Sequence, residues 1–416
     1  MSLARFVYTL LCYAMLPFAL LHLLWRSRKQ PAYLEHIPER FGFYREAPAR
    51  PVIWLHAVSV GETRAAQPLV KALRETYPGH QILLTHMTPT GRETGEQLFG
   101  GNVLRCYLPY DFPQAVKRFL AHFKPVAGLL LETEIWFNLI HICKQANIPL
   151  YLVNARLSEK SAVSYARFPA LVRTGLNELT AIAAQTQQDA ERLRALGAEN
   201  VKVTGSLKFD VKPPSSLLEL GSELSSRFGA RPVFLAASTR EGEEELVLEA
   251  AAKTGLADLL TVIVPRHPQR FDEVASLLQS RGFVFKRRSE NPQMAENVQV
   301  LLGDSMGEMF AYYAASDVVF VGGSLLPYGG QNLLEACAMG KPVLIGPHTY
   351  NFAESADIAV RAGAAMRVAD ANQLARAIQS LFANEKKRQA MGEAGRTFIA
   401  RHQGATQKIL NLIRVR

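Results

Sequence analysis

Glu62 stands directly after a glycine where a short apolar run gives way to a helical pattern, in His56-Ala57-Val58-Ser59-Val60-Gly61-Glu62-Thr63-Arg64. A carboxylate at a strand-to-helix turn can exchange a proton with a ligand in a cleft, and the glycine beside it lets backbone come close to that ligand. The plainer reading is a turn glycine followed by an acid that the helix dipole favours. Two further carboxylates, Glu132 and Glu134, follow the apolar Leu130-Leu131. At alternate positions of an extended chain they point to one side, although one of them can instead cap the next helix. Lys208, in Gly205-Ser206-Leu207-Lys208-Phe209-Asp210, leaves another apolar run and can offset charge on a phosphate or carboxylate; taken alone it reads as a solvated lysine.

The second half carries a different set: Arg266 and His267 between two prolines, then Met306-Gly307-Glu308, then Gly322-Gly323-Ser324 leading to Gly329-Gly330-Gln331-Asn332-Leu333-Leu334-Glu335. Glycines between a strand and a helix offer free backbone N–H groups and the helix dipole to an anion. Glu335, three residues past Asn332, is expected one turn along that helix, within reach of a ribose hydroxyl pair. Arg266 and His267 would meet the same phosphate from a neighbouring strand end. No Asp-x-Asp pair of the kind that holds a metal-bound nucleotide sugar is present, so no metal and no cofactor are expected.

Alternating β-like and helical segments must position these residues, the pattern of parallel sheets covered by helices on both faces. Strands are expected at 52–56, 81–85, 103–107, 128–132, 150–154, 181–184 and 201–204, and in a second series at 233–236, 261–265, 284–286, 298–302, 318–322 and 342–345. Between the first two, Ala66, Leu69, Val70, Leu73 and Tyr77 recur at helical spacing. The breakers Pro213-Pro214-Ser215-Ser216 separate the series. The expected organisation is therefore an anchor at 1–30, a Rossmann-like domain at 31–212 and a second at 213–416, with strand ends facing a cleft. No G-x-G-x-x-G opens either half, which disfavours a dinucleotide dehydrogenase.

With 416 residues, 48% of them hydrophobic and 20% charged, the chain can build two full domains and is not disordered. A net charge of +10 suits an anionic surface or ligand. No aromatic-interleaved basic stretch or zinc-finger pattern supports nucleic acid. Cys12, Cys106, Cys143 and Cys337 are dispersed, as reduced structural thiols are. Residues 6–25 contain no charged side chain apart from a titratable His22, long enough to cross a bilayer core at about 1.5 Å per residue. Arg26, Arg28 and Lys29 follow at once, predicting a cytoplasmic body. A signal peptide lacks its cleavage site here. A helix lying in the interface, kinked at Pro17, is the alternative to a crossing one.

As a set, HAVSVGE (56–62), LETEIW (131–136), GSLKFD (205–210), PRHP (265–268), MGE (306–308), GGQNLLE (329–335) and GPHTYNF (346–352) closely resemble bacterial 3-deoxy-D-manno-octulosonic acid (Kdo) transferases of lipopolysaccharide assembly. The resemblance covers nearly the whole chain. It implies a GT-B fold, CMP-Kdo as donor, lipid IVA as acceptor and attachment to the cytoplasmic face of the bacterial inner membrane. By motif, Glu62 corresponds to the family's general base and Glu132 and Lys208 to its transition-state stabilisers. Arg266, His267, Met306, Gly307, Glu308, Asn332, Leu333, Leu334 and Glu335 correspond to its CMP contacts. Gln331 departs from relatives that carry histidine there. The helix at 6–25, Arg40 and Arg45 are the candidates for lipid and membrane contact. Competing readings are a GT-B transferase using a UDP-sugar and a lipid acceptor, a nucleotide-sugar epimerase, and a non-catalytic membrane adaptor. The number of Kdo residues added and the oligomeric state are not legible in the sequence.

Overall fold

The computed structural model describes residues 3–291 and 293–415. The amino-terminal charge ahead of the apolar segment lies outside them. The chain divides into two compact units, the first comprising Met1–Asp210 and Gln403–Arg416, the second Val211–His402. The last fourteen positions, read from the sequence as part of the second domain, thus belong to the first. The cause is local. The Asp210 carboxylate accepts the backbone N–H groups of Gly404 and Thr406 at the start of the helix Ala405–Leu410. Ala405, Ile409 and Ile413 are buried in the first unit's core.

In the first unit, seven strands form one sheet: β1 (Val52–His56), β2 (Gln81–His86), β3 (Leu104–Tyr107), β4 (Pro125–Leu131), β5 (Leu150–Ala155), β6 (Ala181–Ala184) and β7 (Val201–Val203). Their order is β3-β2-β1-β4-β5-β6-β7, and the pairings are parallel. Alternate residues of β1 enter different cores: Val52 and Trp54 join one cluster, Ile53 and Leu55 another. A sheet covered on both faces requires this, and it explains why β1 reads as an unbroken apolar run. Between β1 and β2 the structure has two helices, α2 (Val60–Ala65) and a second at Gln67–Thr76 with Pro68 in its first turn. Leu69, Val70 and Leu73 of the second are buried, as their spacing predicts.

The second unit repeats the plan with β8 (Val233–Thr239), β9 (Leu260–Pro265), β10 (Phe285–Arg287), β11 (Val300–Leu302), β12 (Val318–Val321), β13 (Val343–Ile345) and β14 (Ala365–Arg367), in the parallel order β10-β11-β9-β8-β12-β13-β14. β14, three residues at the edge of its sheet, is absent from the sequence reading. In each sheet the order reverses beside its first strand, between β1 and β4 and between β8 and β12. In open parallel sheets ligands bind outside the strand carboxyl ends at such a point.

The apolar amino-terminal segment is one helix, α1 (Leu3–Ser27), continuous through Pro17 and long and apolar enough to cross a membrane by length and composition. Arg40, a candidate lipid contact, is instead 1% exposed: its guanidinium donates to the Met87 carbonyl and lies over the Tyr107 ring. Arg45 is exposed. All four cysteines are free.

Asp210→Ala removes the acceptor for two helix-start N–H groups, a loss of about 1–3 kcal/mol. The expected result is selective proteolytic release of the segment after His402 at protease concentrations that leave the wild type intact, read by mass spectrometry.

Candidate active site

Glu62 occupies the first turn of α2, which Ser59 caps. The Ser59 hydroxyl accepts from the Glu62 N–H at 3.4 Å and donates to Glu62 Oε1 at 2.9 Å. The Val58 N–H donates to Oε2 at 2.8 Å. Burial pushes the carboxyl up to about 7; the Val58 and Ser59 bonds pull it down, and the Glu132 and Glu134 charges push it further up. Gly61 makes no turn. Its backbone has no positive φ, and an added Cβ would meet only Ser59 Oγ at 3.9 Å, so the fold does not require glycine there.

Beneath this turn lie two buried histidines. His56 Nδ1 is 2.9 Å from the Thr85 hydroxyl and 3.1 Å from the Thr85 carbonyl, and His86 Nδ1, 2.9 Å from the Ala57 carbonyl, donates there. Burial lowers His56 to about 3 and His86 to about 4, keeping both neutral. His86 supports the 57–62 loop from below through the Ala57 carbonyl, and the two neutral rings leave Glu62 as the group beside them whose protonation can change near neutral pH.

The carboxylates after β4 are arranged differently from the expectation. The strand ends at Leu131, and Glu132 takes a left-handed backbone, φ +57°, before a turn. Strand alternation therefore does not relate Glu132 to Glu134. A non-glycine residue in that conformation stores local strain of the kind found at functional sites. Glu134 accepts from Trp136 Nε1 at 2.6 Å, and burial raises its carboxyl. The Glu132 carboxylate has no hydrogen-bond or ion-pair partner among the described residues.

β5 joins Glu132 to Lys208. The Glu132 N–H donates to the Val153 carbonyl at 3.0 Å. The next residue, Asn154, also at positive φ, accepts the Leu207 N–H on Oδ1 at 3.0 Å and so fixes the turn Leu207–Phe209 that carries Lys208. Lys208 is half-buried, and its ammonium is likewise without a partner among the described residues. The sheet thus gathers a high-pKa carboxyl, an unpaired carboxylate and an unpaired ammonium on the ends of β1, β4 and β7.

In the second unit Arg266 and His267 follow β9, and the Arg266 guanidinium donates to Gln331 Oε1 at 3.2 Å. His267 is exposed; burial, then the charges of Arg240, Arg266 and Arg270, lower its pKa. Met306 and Gly307 follow β11 in an open turn, Met306 58% exposed and Gly307 at φ +83°. Glu308 is tied to Arg288 at 3.2 Å and accepts from Ser305 at 2.7 Å. The helix after the glycines begins only at Leu334 and spans Leu334–Ala338, so Glu335 lies in its first turn rather than one turn along. Asn332 accepts the Leu334 N–H at 3.1 Å and donates to Glu335 Oε1 at 3.0 Å. Leu333 and Leu334 are buried, which leaves only their backbone for a ligand.

The first glycines are not free to take an anion. Glu243, fully buried, accepts four backbone N–H groups: Arg240 at 2.9 Å, Gly323 at 2.5 Å, and Ser324 and Leu325 at 2.9 Å each. A Cβ at Gly322 would stand 2.6 Å from the Ser238 carbonyl, so this crossing of β8 and β12 admits only glycine.

The match to a family model described as "3-Deoxy-D-manno-octulosonic-acid transferase (kdotransferase)" covers residues 35–211, and one for "Glycosyl transferases group 1" covers 235–398. A 3-deoxy-D-manno-octulosonic acid transferase of Bordetella pertussis is 45% identical over 424 residues, with 98% of each chain covered. One of Haemophilus influenzae is 40% identical over 418 residues, covering 99% of this chain and 98% of that protein. This chain belongs to the 3-deoxy-D-manno-octulosonic acid transferase family.

The transferase also resembles a crystal structure of UDP-GlcNAc 2-epimerase from Neisseria meningitidis bound to UDP-GlcNAc, with TM-score 0.57 and 16% identity over 87% of this chain and 99% of that one. At that identity the likeness carries the GT-B fold alone. Among the transferase's residues, sequence reasoning missed Ser59, His86, Asn154, Arg240 and Glu243. The Ser-x-x-Glu spacing at 59–62 was a legible signal for a helix start capped by Ser59. Glu243 sits in Glu241-Gly242-Glu243-Glu244-Glu245, where nothing distinguishes the buried acid from its solvated neighbours.

Glu243→Ala leaves four N–H groups without their acceptor, at a cost of about 1–3 kcal/mol for each that stays buried. Amide exchange at 323–325 should accelerate tenfold or more in hydrogen-exchange mass spectrometry.

Proposed function

We propose that this transferase moves Kdo from CMP-Kdo to a primary hydroxyl of lipid IVA, with inversion, Glu62 acting as general base. The observation that carries the proposal is Glu62 itself: a half-buried carboxyl raised to about 7 at the reversal point of the first sheet, beside an unpaired carboxylate and an unpaired ammonium. Chain-long identity to Kdo transferases supports the sugar; the donor nucleotide and the lipid acceptor come from the family resemblance.

In this reading Glu62 removes the proton as the acceptor oxygen attacks the anomeric carbon, and a pKa near the working pH suits that exchange. Glu132 offsets positive charge developing on the sugar ring, and Lys208 offsets negative charge elsewhere in the reacting group. Arg266, His267, the 306–308 turn and the 332–335 segment hold CMP and meet the charge left on its phosphate. No step calls for a metal or a cofactor.

Purified protein incubated with CMP-Kdo and lipid IVA should yield Kdo-extended lipid by mass spectrometry, which also counts the sugars. Turnover should persist in excess EDTA, and CMP should compete with the donor where UDP does not. Failure of transfer with a competent lipid, or inhibition by UDP alone, removes the substrate assignment.

Glu62→Ala should bind CMP as the wild type does while transfer falls roughly 10²–10⁴-fold. The base must be deprotonated, so kcat/KM should rise with pH through a midpoint near 7. Ser59 lowers the Glu62 pKa, so Ser59→Ala should move that midpoint upward. A pH profile unchanged in Ser59→Ala, together with near wild-type transfer by Glu62→Ala, rules out this base.

A further inference from the structure

Hydropathy reads α1 as a crossing helix, but its side chains tie its beginning to the first unit. Arg5, 8% exposed, lies 4.0 Å from Glu178 at the end of the helix Pro169–Glu178. The Tyr8 hydroxyl donates to Asp111 Oδ2 at 2.8 Å, and Tyr8 meets the Phe137 ring edge-on at 5.2 Å. Thr9 donates to Asn138 Oδ1 at 2.9 Å. Tyr13 donates to Gln114 at 2.8 Å and stacks on Phe112 at 4.7 Å.

The Asp111 site is built, not incidental. That carboxylate, 7% exposed, also accepts the N–H groups of Asn138 and Leu139 at the start of the helix Phe137–Gln145. Residues 5, 8, 9 and 13 fall on one stripe of α1, and that stripe is its polar one.

The geometry is incompatible with a crossing helix. The end of α1 at Ser27 is bound to the same unit by the chain that follows: Glu39 pairs with Arg92 at 2.6 Å and accepts the Tyr107 N–H at 2.8 Å. Arg5 is twenty-two positions from Ser27, about 33 Å along a helix, which is the full depth of a hydrocarbon core. If α1 crossed a bilayer, Arg5, Tyr8 and Thr9 would stand at the far side, out of reach of Glu178, Asp111 and Asn138.

The remaining faces of α1 are apolar and open: Phe6 is 52% exposed, Leu10 60%, Phe18 63%, Leu21 61% and Trp25 58%. The exposed Arg28 and Lys29 follow directly. An apolar face flanked by cations complements a bilayer surface with anionic headgroups.

We propose that α1 lies in the plane of the membrane surface, docked lengthwise on the first unit by Arg5, Tyr8, Thr9 and Tyr13, with its outer face seated in an anionic phospholipid bilayer. The inference does not depend on the donor or the acceptor. It fixes the unit that carries Glu62 on the leaflet, where a crossing helix would leave it on a tether.

The test is a cysteine pair, Thr9→Cys with Asn138→Cys, in the full chain carrying Cys12→Ala and reconstituted in vesicles of phosphatidylethanolamine and phosphatidylglycerol. Mild oxidation should link the two positions in most molecules, seen as a disulfide-joined peptide pair by mass spectrometry, both in vesicles and in detergent micelles. Linking in micelles but not in vesicles, or in neither, overturns the proposal. On the outer face, Leu10→Asp with Phe18→Asp should lower co-sedimentation with phosphatidylglycerol vesicles at least tenfold while the cysteine pair still links. If that variant stays on the vesicles and changes its oligomeric state in sedimentation velocity, the face binds a second copy of this chain and the membrane assignment fails.

Discussion

Parallel strands covered on both faces leave no room for polar chemistry within the sheet. Side chains along β1 or β8 alternate between two apolar cores, and the ladder consumes the backbone groups. Polar residues can therefore collect only where the strands stop, and because the strands run in one direction they stop along one edge. This brings Glu62, Glu132, Asn154 and Lys208 to one border of the first sheet although almost 150 positions of sequence separate the first from the last. The same constraint sets Arg240, Arg266, Met306 and Gly323 along one border of the second.

The two sheets treat a carboxylate after their first strand in opposite ways. Glu243, after β8, is fully buried and receives four backbone N–H groups, so it works as a fastener for the glycine crossing. Glu62, after β1, receives one N–H and one hydroxyl, and burial outweighs them. Burial raises both carboxyls; the difference is access, since Glu243 is enclosed with its four donors while half-buried Glu62, with two donors and two negative neighbours, stays open to a ligand and can exchange a proton near neutral pH. Neutral His56 and His86 add no positive charge that would hold Glu62 ionised.

Hydropathy counts α1 as uniform, whereas packing divides it. The polar atoms of Tyr8 and Thr9 are satisfied by Asp111 and Asn138, and what remains outward is almost wholly apolar. Docked in this way, α1 gives the unit that carries Glu62 a fixed face toward the leaflet.

Thirteen of the fourteen strands are anticipated, the inner ones because a doubly covered strand must be apolar throughout; β14, three residues at the edge of its sheet, escapes. The motif set is sufficient to assign the family, and Asn332 and Glu335 do sit side by side, though at the start of a short helix instead of along it. The sequence by itself determined residue types at strand ends, since glycines and charges there interrupt the apolar pattern. Only the tertiary structure decided which of them are spent on the fold: Asp210 on the carboxy-terminal helix, Arg40 on the Met87 carbonyl and the Tyr107 ring, Glu243 on the loop at 323–325, Tyr8 and Thr9 on docking α1. The reason is physical. Whether a charge or hydroxyl is available to a ligand depends on how many partners surround it in space, and those partners come from segments up to nearly two hundred residues away.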